Sequence, residues 1–131
     1  MVQPNFSGLW QANLDKSHIR APLPAKLMMK IAHSEDELRQ AVLITRLDGT
    51  QERQVLTYSM TGTQSATELR GLPLKWRTRW NGPEMVIEAT YGETTLRDYW
   101  SLSNDGHTLT MAHRDDALAG QITILNRADH P

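Results

Sequence analysis

Between Lys75 and His113 apolar and polar side chains alternate along four runs separated by turn residues. Lys75–Trp80 ends at Asn81-Gly82-Pro83-Glu84, Met85–Tyr91 at Gly92-Glu93-Thr94, and Leu96–Leu102 at Ser103-Asn104-Asp105-Gly106; Leu109–His113 completes the set. Successive side chains of a strand point to opposite faces, so a period of two predicts strands with one buried and one wet side. Asn-Gly and Asp-Gly supply the positive φ angles that tight hairpins need.

The turns set a register. Leu102 opposite Leu109 puts Trp100 opposite Met111 and Asp98 opposite His113. Trp80 opposite Met85 puts Thr78 opposite Ile87 and Trp76 opposite Ala89. Between the second and third runs, Ile87 is expected beside Trp100 and Ala89 beside Asp98. The inner face then gathers Trp76, Thr78, Trp80, Met85, Ile87, Leu96, Trp100, Leu102, Leu109 and Met111. The outer face gathers Lys75, Arg77, Arg79, Val86, Glu88, Arg97 and Tyr99. A slip of one residue would exchange the faces, so the apolar pattern itself selects this pairing. Two inner positions are foreign to an apolar core: Asp98 and His113, facing each other.

The rest of the chain follows the same logic. Phe6 to Leu14 opens with Phe6, Gly8, Trp10, Ala12 and Leu14 on one face. His18 to Ala25 carries Pro22 and Pro24 and reads as a connector. Leu27 to His33 places Leu27, Met29, Ile31 and His33 inward. Leu38 to Leu47 places Leu38, Gln40, Val42 and Ile44 inward. Asp48-Gly49 signals a two-residue hairpin, which puts Arg53, Val55, Thr57 and Ser59 of the strand Gln51–Met60 inward. Thr61 to Leu74 lacks periodicity and reads as a long loop over an open end, with a short strand around Glu68–Arg70 as the alternative. Asp115 to Gly120 turns the chain, and Ile122 and Ile124 finish the inner face opposite His113 and Met111. No helical pattern of useful length appears. About eight to ten strands joined by short turns predict one all-β domain over residues 1–131, an antiparallel up-and-down barrel.

The opening Phe6-Ser7-Gly8-Leu9-Trp10 contains Gly-x-Trp at the start of the first strand. It resembles the signature of lipocalins and the wider calycin group. In that group the Trp closes the barrel floor and a basic residue after the last strand packs over it; Arg127 stands at the matching position. Phe6–Ser17 and the hairpin from Trp100 to Leu109 also look like small bacterial lipocalin-like proteins. The second and third lipocalin motifs and a C-terminal helix are absent from the pattern. The resemblance implies a calycin-like barrel with a small, mostly apolar ligand in its mouth.

Composition narrows the chemistry. A net charge of −1 provides no general field for nucleic acid. The cluster Lys75, Arg77 and Arg79 falls on the wet face, with Glu88 across the strand, as cross-strand charge pairs do. The chain has no cysteine, which excludes a disulfide framework and thiol chemistry. No apolar run is long enough to span a membrane as a helix. Met1-Val2-Gln3-Pro4 lacks the basic and apolar regions of a leader, so the expectation is a cytoplasmic protein, or an exported one whose leader has been removed. The 5 histidines show no His-x-His or His-x-x-x-His spacing, which disfavours a metal site.

All 4 tryptophans fall on the expected inner face. They either fill the barrel or line an aromatic pocket, with Trp76, Trp80, Trp100, Thr78 and Ile87 as walls and Met29 and Met111 as adaptable fillers. His33 and Arg53 are candidate polar anchors or rim residues. Asp98 and His113 are either a structural pair or an acid–base pair, since a carboxylate facing an imidazole fixes its tautomer and favours its charged form. The first reading is therefore a barrel, monomeric or homodimeric, that binds a small, largely apolar and aromatic molecule without a cofactor. The alternative is a cofactor-free isomerase, lyase or cyclase acting through Asp98 and His113.

Overall fold

The computed structural model describes residues 4–19, 23–69, 71–114 and 119–128. Ten strands follow in chain order: β1 (Gly8–Ala12), β2 (Lys26–His33), β3 (Glu37–Thr45), β4 (Gln51–Ser59), β5 (Ser65–Leu69), β6 (Leu72–Asn81), β7 (Glu84–Tyr91), β8 (Thr94–Leu102), β9 (Thr108–His113) and β10 (Ile122–Arg127). They form one sheet in the order β4-β3-β2-β1-β10-β9-β8-β7-β6-β5, every pair antiparallel. The first and last strands join, with Trp10 opposite Arg127 and Ala12 opposite Leu125. The sheet ends at β4 and β5, and the barrel closes along a seam between β4 and β6. Across it the indole N–H of Trp76 donates to the Thr57 carbonyl at 3.1 Å, and the Thr78 hydroxyl donates to the Ser59 carbonyl at 2.5 Å. The result is a nearly closed, calycin-like up-and-down barrel.

The two ends of the barrel differ. At the floor, where β1 starts and β10 ends, Phe6, Trp10, Leu38, Met85, Leu109 and Leu125 are fully buried. Burying side chains of this size contributes about 1.5–3 kcal/mol each. At the mouth, the inward side chains Leu14, Leu27, Ile44, Leu56 and Trp76 pack against the core only in part.

Several sequence expectations hold. Leu102 faces Leu109, Trp100 faces Met111 and Asp98 faces His113; Trp80 faces Met85, Thr78 faces Ile87 and Trp76 faces Ala89. Others shift. Tyr91 pairs with Thr94 across a two-residue turn rather than with Leu96, so the pairing shifts by two residues and Asp98 lies beside Ile87 and Trp100 beside Met85. The shift is even, so the faces survive it.

Two shifts are odd and exchange faces. Thr45 pairs with Gln51 across a five-residue loop, which puts Ile44 opposite Glu52 and Leu43 opposite Arg53. Arg53 therefore points outward and is exposed, as is Val55, while Leu56 and Tyr58 turn inward. The loop is held by Asp48, whose carboxylate accepts from the Thr50 amide at 2.9 Å and its hydroxyl at 2.6 Å. In β10, Ile122 pairs with Ala112 and Thr123 with Met111, so Thr123 and Leu125 face inward in place of Ile122 and Ile124. The intervening turn expected at Asp115 to Gly120 lies partly outside the described residues, which resume at 119.

The segment read as a long loop holds β5, whose Leu69 pairs with Leu72 of β6. Gly71, at φ +81°, turns the chain between them. Arg70 lies outside the described residues. The outer face is also drier than expected: Val86 and Tyr99 are buried there. Arg114 covers Tyr99 with its guanidinium 4.5 Å from the ring centroid, and is itself held by both oxygens of Glu84 at 3.1 and 2.8 Å.

Candidate functional site

Gly8, Trp10 and Arg127 build the floor. The guanidinium of Arg127 lies over the Trp10 ring, 4.3 Å from its centroid. It is fixed by Nε donating to the Gly106 carbonyl at 2.7 Å and Nη1 donating to the Ser7 carbonyl at 2.9 Å. Gly8 has φ +145°, and a Cβ there would collide with Nη1. The glycine is needed both for its backbone angle and for the space the arginine occupies. Trp10 completes the plug by donating its N–H to the Phe6 carbonyl at 2.9 Å.

Phe6 ties the plug to His33. The Phe6 amide donates to His33 Nδ1 at 3.1 Å, and the two rings stack with centroids 5.6 Å apart. That bond uses the Nδ1 lone pair and places the imidazole proton on Nε2. Burial pushes the His33 pKa below its ordinary 6.5. Trp80 stacks on both Phe6 and His33, at 6.1 and 6.2 Å. His33 and Trp80 thus belong to the floor, where they border an open cleft of about 620 Å³ with Asn5, Glu35 and Met60.

Toward the mouth the inner face becomes polar. Thr78, Ile87, Asp98 and His113 form one row across β6 to β9. The Arg114 amide bonds the Arg97 carbonyl at 3.2 Å, which makes Asp98 and His113 the adjacent non-hydrogen-bonded pair. Side chains approach most closely at such pairs. Asp98 Oδ2 accepts the indole N–H of Trp100 at 2.8 Å. Opposite, across the barrel, the Tyr58 hydroxyl donates to Gln40 Oε1 at 2.9 Å, and Gln40 Nε2 donates to Met29 Sδ at 3.2 Å. Burial, and after it the charge of Asp98, push the Tyr58 hydroxyl far above the usual phenol range. Tyr58 meets Trp100 edge-on at 6.0 Å and Trp76 at 6.3 Å.

The structure thus divides the candidate residues. Asp98 and His113 face each other in the mouth half, and Trp76 lies there on β6 against Tyr58. Met29, Ile87, Trp100 and Met111 are buried in the wall between mouth and floor. Trp80 and His33 are at the floor. Thr78 is buried and committed to the seam, and Arg53 is outside the barrel. Gln40 and Tyr58 are the polar groups missing from the candidate set. Their signal was present: Leu56, Tyr58 and Met60 alternate on one face, and Gln40 interrupts the apolar positions Leu38, Val42 and Ile44. Among the described residues no three His, Asp or Glu side chains converge as a metal site requires.

No protein-family model matches the chain, and no curated protein matches it. Among solved structures the chain is similar to a mutant of the fluorescent protein UnaG. The two align over 95% of this chain and 97% of that one, with a TM-score of 0.62 and 9% identical residues. The likeness is one of fold, a barrel of the calycin type.

Proposed function

We propose that the barrel binds a small, largely apolar and aromatic molecule through its mouth. The observation that carries this reading is the asymmetry of the interior. The floor is filled by fully buried side chains and the Arg127–Trp10 plug, with Met60, Trp80 and Leu102 partly buried at its edge, whereas Leu14, Leu27, Ile44, Leu56 and Trp76 line the other half only partly buried. Apolar walls with a few convergent polar groups are what small-molecule sites share. Here the rings of Trp76, Tyr58 and Trp100 supply the walls, and Asp98 and Gln40 the polar groups. The experiment is a titration of tryptophan fluorescence with apolar aromatic probes, repeated in Trp76→Phe. Saturable quenching in the wild type, reduced in the variant, supports the reading. Unchanged fluorescence together with an unchanged amide NMR spectrum would overturn it.

A second reading rests on the direct cross-strand placement of Asp98 and His113. In an acid–base isomerase, lyase or cyclase, His113 would move a proton and Asp98 would hold its ring. Asp98→Asn and His113→Gln would then each lower turnover by about 10²–10⁴-fold while the fold persists. Turnover equal to that of the wild type in both variants would remove this reading and leave the first untouched.

A further inference from the structure

The charge of the bound molecule can be read from which side chains the registers turn inward. On β2 and β3, Lys26 pairs with Thr45, Lys30 with Ala41 and Ala32 with Arg39, all on the outer face. Arg53 is outside on β4. Lys75, Arg77 and Arg79 are exposed on the outer face of β6, and Arg79 and Arg97 share the carboxylate of Glu88 at 2.9 and 3.4 Å. Arg46 stands at the rim and pairs with Glu52 at 2.8 Å. Among the lysines and arginines of the described strands, Arg127 alone shares the inner parity. It is fixed at the floor by Gly106 and Ser7, beyond the fully buried core.

The inner face carries an acid instead. Asp98 lies half-buried between the cross-strand neighbours Ile87 and His113, with Trp100 as its hydrogen-bond donor. Its charge extends across the barrel, since it helps raise the Tyr58 hydroxyl. A half-buried carboxylate acts through less water than a surface one, so like charges brought beside it are costly and opposite charges are favoured.

We propose that the site selects an aromatic amine or a comparable N–H-bearing organic cation, its charged end at Asp98 and its ring among Trp76, Tyr58 and Trp100. Apolar carboxylates are disfavoured. This rests on the binding reading given above and adds the sign of the ligand. His113 faces the same carboxylate and is the competing cation when protonated.

The test compares three probes with one apolar body: naphthylmethylamine, naphthylacetate and uncharged methylnaphthalene, titrated by calorimetry into the wild type, Asp98→Asn and His113→Gln. The amine is expected to bind about tenfold to a hundredfold tighter than the carboxylate, the range of one hydrogen bond to a charged group. Asp98→Asn should erase that preference and His113→Gln should preserve it. If naphthylacetate binds the wild type as tightly as the amine, or tighter, the ligand class is overturned while the binding reading stands. A preference that survives in Asp98→Asn overturns Asp98 as the anchor. If none of the three binds, the binding reading fails and this inference falls with it. The wild-type comparison decides the sign even if a variant does not fold.

Discussion

The Arg127 guanidinium lies 4.3 Å from the centroid of the Trp10 ring while bonding the carbonyls of Gly106 and Ser7. One side chain therefore joins the β8–β9 turn, the approach to β1 and the end of β10. Arg127→Ala is expected to lower stability by about 1–2 kcal/mol, from the lost cation–π contact and two exposed hydrogen bonds. Arg127→Lys should recover little, because an ammonium lacks the planar fork that reaches both carbonyls. Urea denaturation with an unchanged slope measures both; full recovery by lysine would show that charge alone matters.

Gly8→Ala should cost about 1–3 kcal/mol, since it adds an unfavourable backbone angle to a clash with Arg127. Part of that cost should vanish in the double variant Gly8→Ala, Arg127→Ala, as contacting residues are not additive. A double-mutant cycle reads the coupling, and strict additivity would mean that the clash relaxes without loss.

The His33 pKa is depressed in the folded protein, so the unfolded chain binds more protons in the window below 6.5. The stability linked to neutral His33 is complete above that value and is lost as pH falls through the folded pKa. The wild type should therefore lose more stability between about pH 7 and pH 5 than His33→Gln, which has no imidazole to charge. Identical pH profiles for the two proteins would show that the Phe6 amide does not depend on neutral Nδ1.

At the seam, Thr78→Val and Trp76→Phe remove the donors to Ser59 and Thr57 while keeping most of the volume. Each should cost about 0.5–1.5 kcal/mol. Hydrogen exchange should accelerate selectively in β4, whose other neighbour is β3, and leave β9 and β10 as protected as before. Uniform acceleration would point to a loosened core instead.

Where the sequence was read well, turn and periodicity agreed. Ser103-Asn104-Asp105-Gly106 and the alternation of Trp100, Leu102, Leu109 and Met111 fix the same pairing, and the structure has it. Where the two parted, the pairing slipped by one residue. Asp48-Gly49 has the composition of a two-residue hairpin, yet the Asp48 carboxylate binds Thr50 and stabilises a longer loop. That change carries Arg53 outside and brings Tyr58 in. The alternation Leu56, Tyr58, Met60 outweighs it energetically, because inward Arg53 and Val55 would have buried a charge and exposed a tyrosine. Thr61 to Leu74 hid β5 because its residues are mostly polar and its one partner, β6, carries Pro73. At the site, Asp98 and His113 were legible as misfits on an apolar face. Tyr58 was not, because the two-residue reading of Asp48-Gly49 turned it outward and so hid its diagonal cross-strand bond to the inward Gln40.

The join between β1 and β10 makes the strand order circular, with its break at β4 and β5 rather than at the chain ends. The Ala128 amide bonds the Leu9 carbonyl at 2.9 Å, so the start of β1 and the end of β10 lie side by side. Linking them and cutting between β4 and β5 would keep every backbone ladder. The permuted chain would run β5 to β10 and then β1 to β4 as an unbroken meander. Its longest-range pairing would become a neighbour pairing, and a barrel with lower contact order should fold faster at similar stability.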